Sequence, residues 1–446
     1  MRFLVDFCYL MTALLIAPII LYRSWRTGKY RSDWQQRRGF LPELPPSNRR
    51  VWVHAVSVGE VNAVRGIIDA WRKKAPDVEF VLSTTTDTGQ ARARQLFPDL
   101  LIVRYPLDFS WFVRRALDRI KPNMIVLVEL ELWYQFVTTA AQRNIPIAVV
   151  NGRLSERSVQ RFSKVLAVTR RMFEPITWVG VQDADYAERF KRMGTPADRV
   201  EITKSVKWDG AQVADSIDGA DALAREMGLR TDQPILVAGS TGPGEEEILL
   251  NACRSLQSRW PQLQWVLVPR KPERFDEVAE LIARMGFACI RRSRRTGTLS
   301  SCSETLSNAS TPIFLGDTMG ELRKFYSLAT MVFVGRSLAK MGGSDTMEVA
   351  ALAKPIVVGP HNENFADATA RLHEQQAIRI LSADINSSRA ADELAAVIDD
   401  WLQNPTAAAT MGQRGRQVVL ANRGATQRTV DWLAEILDNR CKNSRS

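Results

Sequence analysis

What most constrains this chain is a regular alternation, from residue 51 onward, of short apolar runs with amphipathic stretches of helical period. Residues 51–55, 78–83, 101–103, 124–128, 145–150 and 178–181 read as buried strands. Residues 61–74, 88–96, 110–120, 133–143, 159–173 and 184–193 read as the helices between them. Strands that alternate with helices build a mainly parallel sheet covered on both faces. Polarity rises and the period fades over 208–233. The alternation then restarts, with strands at 235–238, 265–268, 288–290, 313–315, 331–334, 356–358 and 378–380. At 446 residues the chain exceeds the size at which one core usually splits. The expectation is two α/β domains with a cleft between them: an apolar anchor at 1–22, a basic connector at 23–50, a first domain at 51–214, a linker at 215–233 and a second domain at 234–446. Two terminal helices, parted near Pro405, end that second domain, with 439–446 frayed.

The anchor expectation rests on residues 3–22, which are almost wholly apolar and long enough to cross a hydrocarbon core. Asp6 and Pro18 interrupt the run. Arg23, Arg26, Lys29, Arg31, Arg37, Arg38, Arg49 and Arg50 follow it, against Arg2 alone before it, so the positive-inside rule places the domains on the cytoplasmic side. No small-residue cleavage site precedes the basic cluster, which favours an uncleaved single-pass anchor over a signal peptide. A net charge of +11 calls for an anionic partner: nucleic acid, phospholipid or a phosphorylated small molecule. No aromatic-rich basic platform for single-stranded nucleic acid is present. The five cysteines are scattered and odd in number, which suits a reducing compartment. Three histidines are too few for a histidine-rich zinc site. Residues 291–312, rich in Ser, Thr and Arg, read as a flexible surface insertion whose Arg291–Arg295 cluster reads as a solvated basic loop rather than a contact for anionic lipid or phosphate.

Chemistry is expected where strands hand over to helices, since ligands of open α/β sheets collect beyond the carboxyl ends of the strands. After the strand at 51–55 come Ser57, Gly59 and Glu60. Glu60 reads either as a helix-capping acid or as a cleft group; burial would raise its pKa and a helix N-terminus would lower it. Residues 84–89 offer hydroxyls and backbone N–H groups to an anion. Glu129 and Glu131 share a face in extended geometry, an arrangement that serves a cation, a base or a hydrogen-bond network. In the second half, residues 239–245 have the glycines to wrap a phosphate but lack the lysine of a P-loop. Arg270 and Lys271 put two cations at a strand end. Residues 317–322 and 342–348 each set small residues before a helix that opens with an acid. Four such loops behind strands point to a nucleotide site in the second domain.

Taken in order, several motifs resemble the 3-deoxy-D-manno-octulosonic acid (Kdo) transferases of lipopolysaccharide synthesis. They are Val53-His54-Ala55-Val56-Ser57-Val58-Gly59-Glu60, Glu129-Leu130-Glu131-Leu132-Trp133, Asn151-Gly152-Arg153-Leu154-Ser155, Lys207-Trp208-Asp209, Pro269-Arg270, Gly316-Asp317-Thr318-Met319-Gly320-Glu321-Leu322, Gly342-Gly343 with Glu348, and Gly359-Pro360-His361. The resemblance runs from the anchor to about Leu372. It implies a GT-B fold of two Rossmann-like domains facing a cleft, a CMP-Kdo donor, a lipid A precursor (lipid IVA) as acceptor, and inversion without metal or cofactor at the cytoplasmic side of the inner membrane. Position by position, it makes Glu60 the general base and gives Glu129 and Lys207 the stabilisation of the transition state. Arg270, Lys271, Met319, Gly320, Glu321, Asp345, Thr346, Met347 and Glu348 are implied to hold CMP. Four positions depart from the family pattern: Lys271 replaces a His, Ser344-Asp345 replaces His-Asn, and Gly242 replaces a His. Asp345 in particular sets a negative charge near a phosphate unless it caps the helix or faces a ribose. The rival readings are another membrane-associated GT-B glycosyltransferase, a nucleotide-sugar epimerase, and a non-catalytic protein that binds anionic lipid. An epimerase would have no use for the anchor.

Overall fold

The apolar runs pair into two all-parallel sheets of seven strands. The computed structural model describes residues 2–27, 33–294 and 312–443. The first sheet holds β1 (Arg50–His54), β2 (Glu79–Thr84), β3 (Leu101–Arg104), β4 (Met124–Val128), β5 (Ile147–Gly152), β6 (Trp178–Val181) and β7 (Val200–Ile202), in the order β3-β2-β1-β4-β5-β6-β7. The second holds β8 (Ile235–Thr241), β9 (Gln264–Pro269), β10 (Cys289–Arg291), β11 (Ile313–Leu315), β12 (Met331–Val334), β13 (Ile356–Val358) and β14 (Ile378–Ile380), in the order β10-β11-β9-β8-β12-β13-β14. Central strands such as β4 are buried throughout because helices cover both faces. Strand order reverses between β1 and β4 in one sheet and between β8 and β12 in the other. Each reversal opens a crevice at the strands' carboxyl ends.

The expected strands are all present, and β7 is additional. It sits at the sheet edge, only partly buried, so its three residues carry no apolar run. The helix expected over 159–173 is two, Glu156–Ser163 and Leu166–Phe173.

The chain divides into one unit of Met1–Gly210 with Asn422–Ser446 and a second of Ala211–Ala421. This corrects the expected domains in two places. Within 215–233, Ala220–Met227 is a helix with Ala220, Leu223, Ala224 and Met227 buried, so that stretch belongs to the second unit's core. The tail has three helices, Ala390–Gln403, Pro405–Asn422 and Ala425–Asn443, and the last returns to the first unit. There Ala425, Val430, Leu433 and Leu437 are buried in one cluster with Val61, Val64, Ile68 and Trp71 of the helix Val58–Lys74. Apolar periodicity reveals that a helix has a buried face but not what the face covers. Residues 439–443 continue the helix instead of fraying, and 444–446 lie outside the described residues.

The N-terminal helix runs unbroken from Arg2 to Thr27, and its first 18 residues are long and apolar enough to cross a membrane. Residues 28–32 of the connector lie outside the described residues. Several of its cations are structural. Arg50 opens β1 with its side chain buried, bonded to Glu79 at 2.7 Å and to the Ile120 carbonyl at 2.7 Å. Arg49 pairs with Asp77 and Asp438. The start of the basic insertion is also not a solvated loop. Arg291 pairs with Asp317 at 2.6 Å and Asp276 at 2.7 Å, and Arg292 with Glu226 at 2.7 Å and Glu321 at 3.0 Å. Residues 295–311 lie outside the described residues.

Candidate active site

In the first unit the crevice between β1 and β4 gathers three carboxylates. Ser57 caps the helix Val58–Lys74, accepting from the Glu60 N–H at 3.4 Å. Glu60 reaches back, one carboxylate oxygen accepting from the Ser57 hydroxyl and the other from the Val56 N–H, both at 2.9 Å. This is a capping box. Glu60 therefore caps the helix, and it sits buried, 9% exposed, beyond the carboxyl end of β1. Burial pushes its carboxyl above the usual range and the Glu129 charge adds to that, outweighing the Val56 and Ser57 donors.

Glu129 follows β4 in the left-handed region, φ 59°, a conformation that a non-glycine residue adopts at a cost and only where the surroundings impose it. Its N–H bonds to the Val150 carbonyl at 3.0 Å, which fixes the turn to β5. Two residues on, Glu131 accepts from the Trp133 indole N–H at 3.0 Å. Burial pushes the Glu131 carboxyl up to about 7, with Glu60 and Glu129 adding repulsion. The Glu131 carboxyl is therefore partly protonated near neutrality.

Lys207 lies on a single turn of 3-10 helix, Val206–Gly210, after β7. Asn151, at the end of β5 with φ 53°, accepts from the Val206 N–H at 3.3 Å and holds the start of that turn. Asp209 holds its end, accepting from the Gly424 N–H at 2.6 Å and the Thr426 N–H at 2.5 Å. Trp208 is buried between them in sequence, leaving Lys207 exposed. The turn is thus anchored through the helix Ala425–Asn443, the same helix that backs Val58–Lys74.

In residues 84–89 capping accounts for the Thr86 hydroxyl. Thr86 caps its own helix, accepting from the Gly89 N–H at 3.0 Å and donating to the Val56 carbonyl at 3.0 Å, and Asp87 pairs with Arg104. A Cβ on Gly89 would lie 2.8 Å from that same carbonyl, so the loop is closed against β1.

In the second unit the loop at 239–245 is spoken for. Glu245, fully buried, accepts four backbone N–H groups: Gly242 at 2.8 Å, Arg336 at 2.6 Å, Ser337 at 2.8 Å and Leu338 at 2.9 Å. One N–H of that loop, Gly242, and three that follow β12 thus converge on the chain's own carboxylate. A side chain at Gly242 would meet Met341 Sδ at 2.8 Å, so Met341 occupies the space there.

The remaining expected donor residues stand at the same sheet edge. Arg270 and Lys271 follow β9 and are exposed. Met319 and Gly320 are exposed after β11, Gly320 at φ 86°. Glu321 accepts from Thr318 Oγ1 at 2.5 Å and pairs with Arg292; burial works against ionisation, but these bonds hold its pKa below the usual range. Asp345 accepts from the Met347 N–H at 2.8 Å, so it caps the short helix Met347–Ala351, one of the two arrangements that reconcile an acid with this position. Ser344 and Thr346 bury hydroxyls that have no partner among the described residues. Burial pushes the Glu348 carboxyl up, opposed by the charges of Arg323 and Arg270. Gly342 and Gly343, at φ 83° and 77°, let this loop lie against Asn364 and Asn362, where a Cβ would come within 2.2 Å and 2.9 Å.

Residues 32–210 match the family described as 3-Deoxy-D-manno-octulosonic-acid transferase (kdotransferase). The chain is 33% identical over 443 residues to the 3-deoxy-D-manno-octulosonic acid transferase of Haemophilus influenzae, covering 97% of this chain and 99% of that one. It is 30% identical over 443 residues to the enzyme of the same description from Bordetella pertussis, covering 95% and 97%. Among solved structures, MurG of Acinetobacter baumannii matches with a TM-score of 0.55 at 14% identity, covering 87% of this chain and 99% of that one. At such identity the likeness shows the fold alone, that of the GT-B glycosyltransferases.

Proposed function

Given that the chain belongs to the 3-deoxy-D-manno-octulosonic acid transferase family and is a glycosyltransferase acting on Kdo, we propose that it transfers Kdo from CMP-Kdo to a lipid A precursor, lipid IVA. Transfer is inverting and needs no metal or cofactor. It takes place at the inner membrane, to which the N-terminal helix anchors the protein, with both units on the cytoplasmic side.

The observation that carries this reading is the carboxylate cluster at the β1/β4 crevice. Direct inversion needs one base to take the proton of the acceptor hydroxyl as it attacks the anomeric carbon, while the bond from that carbon to the CMP phosphate breaks. Glu60 is that base. It is buried, oriented by two hydrogen bonds and raised towards neutrality, which brings its proton affinity closer to the working pH. Glu129 and Lys207 stabilise the charge that develops at the sugar. In the second unit Arg270 and Lys271 meet the departing phosphate, Met319, Gly320 and Glu321 and the segment Asp345-Thr346-Met347 contact the nucleotide, and Glu348 accepts from ribose hydroxyls. The unpartnered Ser344 and Thr346 hydroxyls fit a polar ligand there.

The test is incubation of the membrane-bound enzyme with CMP-Kdo and lipid IVA in excess EDTA, with product read by mass. A lipid gaining the mass of Kdo is expected, with release of CMP. An enzyme that binds both ligands and forms no such product overturns the reading, and loss of transfer on chelation alone overturns metal independence.

A further inference from the structure

The N-terminal helix is apolar on most of its circumference, with Phe3 86% exposed and Leu4, Phe7, Leu14 and Leu15 open beside it. One stripe of it is not. Arg2, Asp6 and Tyr9, spaced by four and three residues, share a face, and that face is bonded to the first unit. Asp6 is 5% exposed and accepts from the Ser110 N–H at 2.9 Å, the Ser110 hydroxyl at 2.6 Å and Gln135 Nε2 at 3.0 Å. Tyr9 donates to Asp108 at 3.0 Å, and Arg2 to the Thr138 carbonyl at 3.3 Å.

These contacts complete the ends of two helices. Ser110–Ile120 follows Phe109 and Tyr134–Gln142 follows Trp133, and neither of those residues supplies a side-chain cap. Asp6 caps the first from over a hundred residues away. Asp108 caps the second, accepting from the Gln135 and Phe136 N–H groups at 2.9 and 2.8 Å, and is itself held by Tyr9. A helix that crossed the bilayer with its start on the far face would carry Asp6 away from Ser110 and leave its carboxylate in or beyond lipid, where a charge is strongly disfavoured.

The far end of the helix is tied as well. Asp33 pairs with Arg104 at 2.9 Å. From Asp6 to Thr27 the helix spans about 32 Å at ~1.5 Å per residue, whereas the six residues from Thr27 to Asp33 reach at most about 21 Å. A helix standing on end from Asp6 could not return. One lying along the surface can.

Resting on the membrane-anchor reading above, we propose that this helix lies in the plane of the membrane surface with its N-terminus on the same side as the catalytic units, and that it does not cross. Its open apolar face enters the lipid, and Trp111 and Trp133, exposed at the starts of the helices that Asp6 and Asp108 cap, would meet the headgroup boundary that indoles favour. Arg114 and Arg143, close enough to repel Arg2, suit the anionic headgroups that would offset that repulsion.

The experiment places one epitope tag at the N-terminus and another at the C-terminus of the full chain. Protease is then added to right-side-out and to inverted inner-membrane vesicles. The expected result is a membrane-bound protein whose two tags are both cut in inverted vesicles and both spared in right-side-out ones. A membrane-bound protein whose N-terminal tag is cut only in right-side-out vesicles overturns the in-plane placement and leaves the anchor standing. A protein recovered in the soluble fraction overturns the anchor and the placement together. D6L, which removes the tie and lengthens the apolar run, is expected to shift N-terminal tags to the outer face; if its tags stay with the wild-type pattern, Asp6 is not what holds the helix in plane.

Discussion

Replacing Glu60 by Gln separates the cap that the structure shows at that residue from the base role proposed for it. Glu60 accepts one hydrogen bond from the Ser57 hydroxyl and one from the Val56 N–H. Gln serves in a capping box as Glu does. It keeps one acceptor oxygen, and its amide can donate to Ser57, so the helix Val58–Lys74 loses about 1 kcal/mol at most. Removing a negative charge beside Glu129 works the other way, and the net change in stability is close to zero. A lost general base costs about 10²- to 10⁴-fold in rate, or roughly 3 to 5 kcal/mol of barrier. Ser57→Ala supplies the complementary perturbation: it removes the N-cap, about 1 kcal/mol of stability, while leaving the carboxylate. Initial rates of Kdo transfer at saturating substrates, measured beside thermal unfolding, should show Glu60→Gln stable and slow, and Ser57→Ala less stable and far less impaired. A Glu60→Gln enzyme within about tenfold of wild type, only ~1.4 kcal/mol of barrier, would show that Glu60 is a cap and nothing more.

Glu131 sets a pH dependence. Its folded carboxyl titrates near 7 against an ordinary value of 4.5, so the native state binds the extra proton and stability falls as pH rises from about 4.5 to 7. Glu131→Gln should flatten part of that slope in pH-resolved unfolding, the remainder being due to Asp108, which burial also pushes up to about 7, and to Glu60, Glu245 and Glu348, which burial raises as well; an unchanged slope refutes the assignment. Asp209→Asn should leave one of the Gly424 and Thr426 N–H groups without an acceptor, costing ~1 to 2 kcal/mol in stability and lowering kcat through the misplaced Lys207 turn. The KM for CMP-Kdo, whose site is proposed in the other unit, should hold, and a raised KM with normal kcat would contradict this. Glu245→Gln leaves two of four buried N–H donors unpaired, each worth about 1 to 3 kcal/mol; calorimetry should show a clearly lowered transition, and a midpoint within a degree of wild type would mean the loop does not depend on that carboxylate.

Most strands were legible because parallel strands covered on both faces are continuous apolar runs, and only β7, at the edge, lacked one. The residues at strand ends were legible for the same reason: Glu60, Glu129, Arg270 and Glu348 lie where runs stop. What could not be read were pairings across the chain. Asp209 meets Gly424, Glu245 meets Arg336, and Asp6 meets Ser110, at separations of 215, 91 and 104 residues. Each of these acids stands in a motif or run with an obvious local reading, as ligand, helix start or flaw in an anchor. In each case a partner absent from the local sequence decides the role. Glu131 was visible as half of a pair, but its raised pKa comes chiefly from burial, which no spacing reveals.

Counting lone pairs sorts these acids by what they can still do. A carboxylate has about four acceptor sites. Glu245 has four backbone N–H groups on it, so a proton or a ligand could reach it only by breaking the loop. Asp209 gives its bonds to two N–H groups that fix a helix end, and a proton taken there would loosen the turn under Lys207. Glu60 accepts from one hydroxyl and from the Val56 N–H, with the Ser57 backbone also bearing on it, and so keeps acceptor capacity that Glu245 lacks. These bonds cost it little basicity because burial more than offsets them, and they fix the direction in which its remaining lone pairs point. The Val56 N–H, a backbone donor that Ser57→Ala leaves in place, is therefore what would keep Glu60 aimed in the base role proposed for it: a carboxylate free to rotate would lose the alignment with the acceptor hydroxyl on which proton transfer depends.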